Sequence, residues 1–447
     1  MDETIVAIST ALGVGAISII RLSGSDAIKI ANKIFKGANL EEVESHTIHY
    51  GHIIYKDEII DEVLVSIMKC PKTFTLEDVV EINCHGGIST TNKVLELLLL
   101  NGARLAEPGE FTKRAFLNGR IDLIEAQGIM NLIESKSEIS RKLSLKQLNG
   151  DVSNSIKDLR KEILKLLANI AVNIDYPEYE DITQVTIEDI KTSLKEIDEY
   201  LNKILKQSEE TTIVLEGLKT VIVGRPNVGK SSILNMLLNE EKAIVTDIAG
   251  TTRDVVEGTL NLNGVYLKLL DTAGIHETRD KVEEIGVNKS LGLIDEADLI
   301  LLVLDNSQKL TAEDKKLLEL TTNTKRIIII NKTDLSSKID EEFNDAIYMS
   351  TINKDGLTTL RKRIVEMFNL NEISSDMNSF VNASDIAKIK ECLEISAKMK
   401  QSINDNIEVD MLEIDLREMN DLLGKIIGES YDEEILDEIF KNFCIGK

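Results

Sequence analysis

The run Gly224-Arg225-Pro226-Asn227-Val228-Gly229-Lys230-Ser231 constrains this chain more than any other stretch, because a GxxxxGK[ST] pattern works only between a strand and a helix. Both are predicted in place: Thr220–Val223 is a short strand-like run, and apolar residues at helical spacing follow the pattern. There the glycines let backbone N–H groups curl around phosphates, the Lys230 ammonium pairs with β- and γ-oxygens, and the Ser231 hydroxyl reaches Mg2+. Alone, the match is compatible with chance or with an ATP site.

Three further segments, in the right chain order, narrow it to guanine. Asp271-Thr272-Ala273-Gly274 follows the strand-like run Tyr266–Leu270, setting a carboxylate near the metal and a backbone amide near the γ-phosphate. Asn331-Lys332-Thr333-Asp334 follows Arg326–Ile330, and Asp334 accepts two hydrogen bonds from the guanine N1–H and exocyclic amine, which adenine does not offer. Thr251-Thr252, within Val245–Asp254, supplies the switch threonine, with Thr252 as the second Mg2+ ligand beside Ser231. The expected GTP contacts are Asn227, Val228, Gly229, Lys230, Ser231 and Ser232 in the loop, and Thr246, Asp247, Ile248, Ala249, Gly250, Thr251 and Thr252 in the switch. Asp271, Thr272, Ala273, Gly274, Asn331, Lys332, Asp334 and Ser350 complete them.

Two positions depart from the Ras-type pattern. Ile275 follows Gly274 where Ras-type GTPases place a Gln nearby to orient the attacking water, so that role is vacant. Asn227, with backbone carbonyls from Thr246–Thr251, can hold a monovalent cation that does the charge work of an arginine finger, or can simply stabilise its own turn.

Around this site the chain changes character three times. Residues 1–118 mix strand-like runs (Thr4–Ser9, Ala16–Leu22, Val63–Met68, Val79–Asn83) with helical patterns (Asp26–Phe35, Thr90–Asn101), predicting an α+β domain. Residues 119–215 lose the strand signal, and Ile156, Leu159, Ile163, Leu166 and Leu167 recur at helical spacing. Residues 216–373 return to strand, helix, strand, with runs apolar enough for burial on both faces, which predicts a parallel α/β unit. Residues 374–447 are helical again, with Met411, Ile414, Leu416, Met419, Leu422 and Leu423 as the apolar set. If the two helical segments pack together, the α/β unit is an insertion into one all-α domain.

Composition narrows the partners. With 52 Lys+Arg against 77 Asp+Glu, the net charge of −25 repels phosphate at long range, so an RNA partner needs a local basic patch or a helper protein. Cys70, Cys84, Cys392 and Cys444 form no CxxC pair, so neither a disulfide framework nor structural zinc is expected, and a reducing cytoplasm fits. No signal or transit peptide is expected at the start, and no run approaches the roughly 18 apolar residues of a membrane span. Cys444 lies fourth from the end, but Gly446 and Lys447 fit a prenylation signal poorly.

The segments GRPNVGKSS, TDIAGTTRD, DTAGIHETRDKVEEIG and FCIGK together resemble the MnmE (TrmE) family of tRNA-modification GTPases. The likeness runs the whole length, through TIVAISTALGVGAISIIRLSG, FTLEDVVEINCHGG, EPGEFTKRAFLNGRIDLIEAQ and DYPEYEDI. It implies an N-terminal folate-binding-like domain, a discontinuous helical domain and an inserted Ras-like G domain. It also implies a homodimer that binds 5-formyl- or 5,10-methylene-tetrahydrofolate and whose G domains close when GTP and K+ bind. With the FAD-dependent partner MnmG (GidA), in a heterotetrameric or larger complex, such proteins place an aminomethyl or carboxymethylaminomethyl group on C5 of the wobble uridine of certain tRNAs.

Residue by residue, the resemblance puts the general base on Glu283, with Glu284 as its neighbour and internal control. Without it, Glu283 reads as a solvated helix carboxylate. The implied K+ ligands are Asn227, Thr246, Ile248 and Thr251, and the implied folate contacts are Arg21, Glu81, Arg120 and Lys447. A carboxylate suits the amidine-like pterin edge, and cations suit the glutamyl tail. Position 120 is Arg where some members carry Lys, which keeps charge but changes geometry. Arg21 alone reads as an exposed strand cation. Cys444 is open between a thiol that helps the chemistry and a small buried apolar residue. His85 reads as structural, since no acid–base partner follows from sequence. A second account, a non-enzymatic GTP-switch scaffold of the Der/Era class, would need none of Arg21, Glu81 or Lys447.

Overall fold

The computed structural model describes residues 3–175, 187–239, 256–262, 265–270, 294, 296–368, 382–405, 409–431 and 433–446. Two compact units emerge: residues 1–133, 145–198 and 388–447, and residues 134–144 with 199–387.

In the first unit, strands β1 (Ile5–Ile8), β2 (Ile17–Ser23), β3 (Phe35–Lys36), β4 (Thr47–Tyr55), β5 (Glu58–Met68), β6 (Val79–His85) and β7 (Arg104–Leu105) form one sheet, ordered β3-β4-β5-β6-β2-β1-β7. All neighbours are antiparallel except β1 and β7. Alternation decides which face is covered. Ile20, Leu22, Val63, Val65, Ile67, Val80 and Ile82 point one way, into a core closed by helices α1 (Ala27–Ile34) and α2 (Ile88–Leu100). The other parity carries Arg21, Glu81 and Asn83; at its β1 end Ile5 and Ala7 are buried against Phe111, and elsewhere it is open, with Ile17, Ile48, Tyr50 and Leu64 exposed. Strand β4 and the acidic start of β5 were not anticipated, because in TIHYGHIIY polar Thr47 and His49 share the parity of buried Gly51 and Ile53 while apolar Ile48 and Tyr50 are exposed, and EIID opens on charge.

Helices α3 (Glu110–Leu117), α4 (Leu123–Glu134), α5 (Glu138–Leu148), α6 (Asp151–Asp175) and α7 (Ile187–Glu216) follow. The α6 stripe Ile156, Leu159, Ile163, Leu166 and Leu167 is buried as its spacing predicts. After the α/β region come α11 (Ala383–Asn404), α12 (Val409–Ile427) and α13 (Glu433–Phe440). Helix α12 buries Leu416, Met419, Leu422 and Leu423 as expected, but the set is corrected at its start, where Met411 and Ile414 are 57% and 63% exposed and Leu412 is buried. The early and late helical segments do meet. Arg160 on α6 donates to Asn420 on α12 at 3.3 Å and pairs with Glu429 at 2.6 Å, and Lys400 pairs with Asp198.

The second unit is built on strands β8 (Leu218–Val223), β9 (Val256–Leu262), β10 (Val265–Leu270), β11 (Leu299–Asp305), β12 (Arg326–Asn331) and β13 (Ile347–Tyr348), ordered β13-β12-β11-β8-β10-β9. Helices α8 (Lys230–Asn239), α9 (Ala312–Leu320) and α10 (Leu357–Met367) accompany them. Every residue of β11 is buried, as expected for a strand covered on both faces. The parallel α/β expectation is borne out for β8 and β10–β13, and at one edge β9 runs antiparallel to β10. Its VEGTLNL alternation, polar at every second place, belongs to an edge rather than a doubly covered strand. Chain order reverses direction at β8, which makes its carboxyl end the switch point where ligands bind in such sheets. Among the described residues no helix is long and apolar enough to cross a membrane.

Candidate functional site

The loop after β8 occupies that switch point. Gly224 has φ +155°, and a Cβ there would meet the Val303 carbonyl oxygen at 2.5 Å. Gly229 has φ +104°, and a Cβ would stand 2.1 Å from Asn331 Nδ2, so both positions require glycine. Asn227 between them adopts φ +64°, a left-handed conformation that Asn tolerates. Lys230, first residue of α8, donates to the Gly224 and Arg225 carbonyl oxygens at 2.7 and 3.0 Å, and exposed Ser231 and Ser232 follow it. The loop thus runs straight into the α8 N-terminus, an anion-binding arrangement.

The Asn331–Asp334 segment locks onto this loop. Asn331, 1% exposed, donates from Nδ2 to the Val228 carbonyl oxygen at 2.8 Å. Lys332 donates to the Asn227 carbonyl oxygen at 2.8 Å and to Asp305 Oδ2 at 2.6 Å. Burial works to raise the Asp305 pKa, but hydrogen bonds from Lys332 and Ser307 outweigh it and hold the carboxyl below its usual range. Asp334 accepts from buried Ser350 Oγ at 2.6 Å, which orients its exposed carboxylate. The structure therefore brings Asn227, Val228, Gly229, Lys230, Asn331, Lys332, Asp334 and Ser350 together. Thr246, Asp247, Ile248, Ala249, Gly250, Thr251, Thr252, Asp271, Thr272, Ala273, Gly274, Glu283 and Lys447 lie outside the described residues. Asp305 was missed, although an Asp closing an apolar strand in such a sheet is itself a signal.

In the first unit, Arg21 on β2 and Glu81 on β6 are direct cross-strand partners. Arg21 Nε and Nη2 lie 2.8 and 2.7 Å from Glu81 Oε1, with the side chains 20% and 23% exposed. Arg21 is thus a half-buried, paired group rather than an exposed strand cation. Its Nη1 donates to the Gly446 carbonyl oxygen at 3.0 Å, and Ser9 Oγ donates to the same oxygen at 3.1 Å. Gly109 N donates to the Cys444 carbonyl oxygen at 3.3 Å, so the chain's last residues dock beside Arg21. Arg21 also lies over the Phe111 ring at 5.9 Å and Arg120 over the Phe74 ring at 5.0 Å. Phe111 and Phe74 belong to one small apolar cluster, which both cations flank. Cys444 is exposed, so its reading as a buried apolar residue does not hold. Ser9, Phe74 and Phe111 carry no motif that would have drawn notice.

His85 has the partner that sequence could not assign. Asp61 accepts from its backbone N–H at 2.8 Å and lies 2.6 Å from Nδ1. The hydrogen bond and charge of Asp61 raise the imidazole pKa. Two contacts from one carboxylate anchor the turn between β6 and α2, which supports the structural role.

Comparison with known proteins places these features. The family model for the GTP-binding protein TrmE N-terminus matches residues 4–120, and that for the MnmE helical domain matches residues 123–444. The tRNA modification GTPase MnmE of Ligilactobacillus salivarius is 51% identical over 456 residues, covering 100% of this chain and 98% of that protein. Its namesake from Lactiplantibacillus plantarum is 49% identical with the same coverage. Among solved structures, the G domain of the T. maritima FeoB iron transporter aligns with 33% of this chain and 97% of its own length, at 27% identity and a TM-score of 0.25.

Proposed function

Because this chain belongs to the MnmE (TrmE) family of tRNA modification GTPases, we propose that its GTP hydrolysis drives one particular edit, addition of an aminomethyl or carboxymethylaminomethyl group to C5 of the wobble uridine. The chain is a GTPase acting in tRNA modification. In the finer reading, Ser231 and Thr252 hold Mg2+, and Asn227, Thr246, Ile248 and Thr251 hold a K+ whose charge promotes G-domain pairing. Glu283 activates the attacking water where Ile275 leaves the Gln role vacant. The domains divide at 118, 215 and 373, and the protein works in the cytoplasm.

The observation that carries the folate reading is the Arg21–Glu81 pair with Gly446 docked on it. A guanidinium, a carboxylate, the Arg120 cation and the adjoining Lys447 offer the donors and acceptors that a pterin edge and glutamyl carboxylates need. When bound, tetrahydrofolate supplies the one-carbon unit. The protein's own residues bind and orient it, and Cys444 contributes a thiol. The open sheet face bearing Ile48, Tyr50 and Leu64 beside Arg21 supports pairing of two such domains. An FAD-dependent partner, MnmG, completes the chemistry and carries much of the tRNA contact, which accommodates the net charge of −25.

Titration with 5-formyl-tetrahydrofolate tests the site. Wild type should bind and Arg21→Ala should lose at least tenfold in affinity, whereas equal binding would remove Arg21 from it. Hydrolysis should slow when Na+ replaces K+, and a rate indifferent to the cation would remove Asn227 from the mechanism.

A further inference from the structure

Arg225 is the second residue of the phosphate loop, and its side chain pairs with a residue outside it. Its Nε donates to Asp314 Oδ1 at 2.8 Å, with the side chains 15% and 1% exposed. Asp314 lies on α9, outside every nucleotide motif. Its other oxygen caps that helix, accepting from Thr311 N at 2.8 Å and Thr311 Oγ1 at 2.9 Å. Asp314 N in turn donates to Thr311 Oγ1 at 3.3 Å, which completes a capping box. Such a box works with a solvent-exposed carboxylate. Burying this one to 1% exposure carries a desolvation penalty unless both oxygens are satisfied, and the arginine satisfies the second.

Besides the Lys230 ammonium on the Gly224 and Arg225 carbonyl oxygens, the loop is held by side chains and backbone at its far end and at its base. Asn331 holds Val228, Lys332 holds Asn227, and Gly224 backs against the Val303 carbonyl. Between them only Pro226 and Arg225 remain, and the proline ring already fixes its own φ. Arg225 also supplies the carbonyl oxygen that receives the Lys230 ammonium. Its backbone position therefore sets where the phosphate-binding lysine rests and which way the neighbouring N–H groups point.

We propose that Arg225 and Asp314 are positioning residues for nucleotide binding: the buried ion pair fixes the near side of the phosphate loop in its binding shape. Fixing the loop before the ligand arrives removes ordering entropy from the binding step. The contribution is therefore to nucleotide affinity, beyond any contribution to folding.

The test uses the full chain and GDP dissociation rates followed by a fluorescent GDP analogue, with thermal unfolding measured in parallel. Arg225→Ala should release nucleotide roughly tenfold faster, equivalent to about 1.4 kcal/mol. Asp314→Ala should do the same and also lower Tm, and the double variant should lose no more affinity than either single one. Thr311→Ala, which breaks the cap but spares the ion pair, should lower Tm while leaving dissociation within about twofold of wild type. Arg225→Lys should recover part of the loss. Wild-type dissociation from Arg225→Ala, or Thr311→Ala releasing nucleotide as fast as Arg225→Ala, would overturn the proposal and reduce the pair to a fold contact.

Discussion

Replacing Gly446 by alanine asks whether the chain's last residues belong to the N-terminal site. Gly446 has φ +90°, and a Cβ there would stand 2.7 Å from the Ile8 carbonyl oxygen and 2.8 Å from Ser9 Cα. Both are backbone atoms at the end of β1, where Ile8 pairs with Ile20 of β2 and Ser9 N donates to the Ile19 carbonyl oxygen at 2.8 Å, which resists their retreat. The left-handed backbone costs an L-residue about 1–2 kcal/mol. Displacing the segment forfeits the Ser9 bond, about 0.5–1.5 kcal/mol, and the charged Arg21 bond, about 1.5–3 kcal/mol. Lifting the segment relieves the strain and the clash, and the two forfeited bonds, together about 2–4.5 kcal/mol, leave the Gly109 N–H bond to the Cys444 carbonyl without that support. Phe440 and Phe443 keep α13 in place, so only the tail should lift. Hydrogen exchange reads this directly: the Gly109 amide should exchange at least roughly 30-fold faster in Gly446→Ala, since each 1.4 kcal/mol is a factor of ten. Ile445→Ala, at a side chain 58% exposed, should change nothing. Wild-type exchange at Gly109 in Gly446→Ala would refute the docking argument.

Three other outcomes are expected. Asp334→Asn should weaken GTP binding and favour xanthosine nucleotides, and unchanged base preference would remove Asp334 from the guanine site. Glu283→Ala should bind nucleotide normally but lose turnover while Glu284→Ala does little; equal behaviour would misplace the base. Burial works to raise the Glu110 pKa, but hydrogen bonds from Arg104, Glu107 N–H and Arg114 outweigh it and hold it below the usual range. A depressed folded pKa stabilises above the unfolded value of about 4.3 and loses that stabilisation as pH falls through the folded one. Glu110→Gln should therefore flatten the loss of stability in acid below about pH 4.3, as followed by urea unfolding, and an unaltered acid limb would contradict the assignment.

The phosphate loop was legible because its requirements are local: two glycines at positive φ, a lysine and a hydroxyl at fixed spacing. Strands β8, β11 and β12 were legible because burial on both faces writes an unbroken apolar run. Strand β4 was not, since its alternation is inverted: apolar Ile48 and Tyr50 face out, while polar Thr47 and His49 share the parity of buried Ile53. The α12 stripe was legible from Leu416 to Leu423, but not in its first turn, where Met411 and Ile414 are apolar yet exposed and Leu412 is the buried residue. Arg21 and Glu81 could be named from resemblance, but their cross-strand pairing depends on which strands neighbour each other. The Asp61 partner of His85 and the Asp314 partner of Arg225 lie 24 and 89 residues away, and no local pattern points to them.

The measurement that tests the account most directly is nucleoside mass spectrometry of bulk tRNA from cells lacking this chain, complemented with wild type or with Glu283→Ala. The account predicts that the C5-modified wobble uridine disappears and that only wild type restores it. Unchanged tRNA in all three strains would contradict the modification role, and restoration by Glu283→Ala would contradict its dependence on hydrolysis.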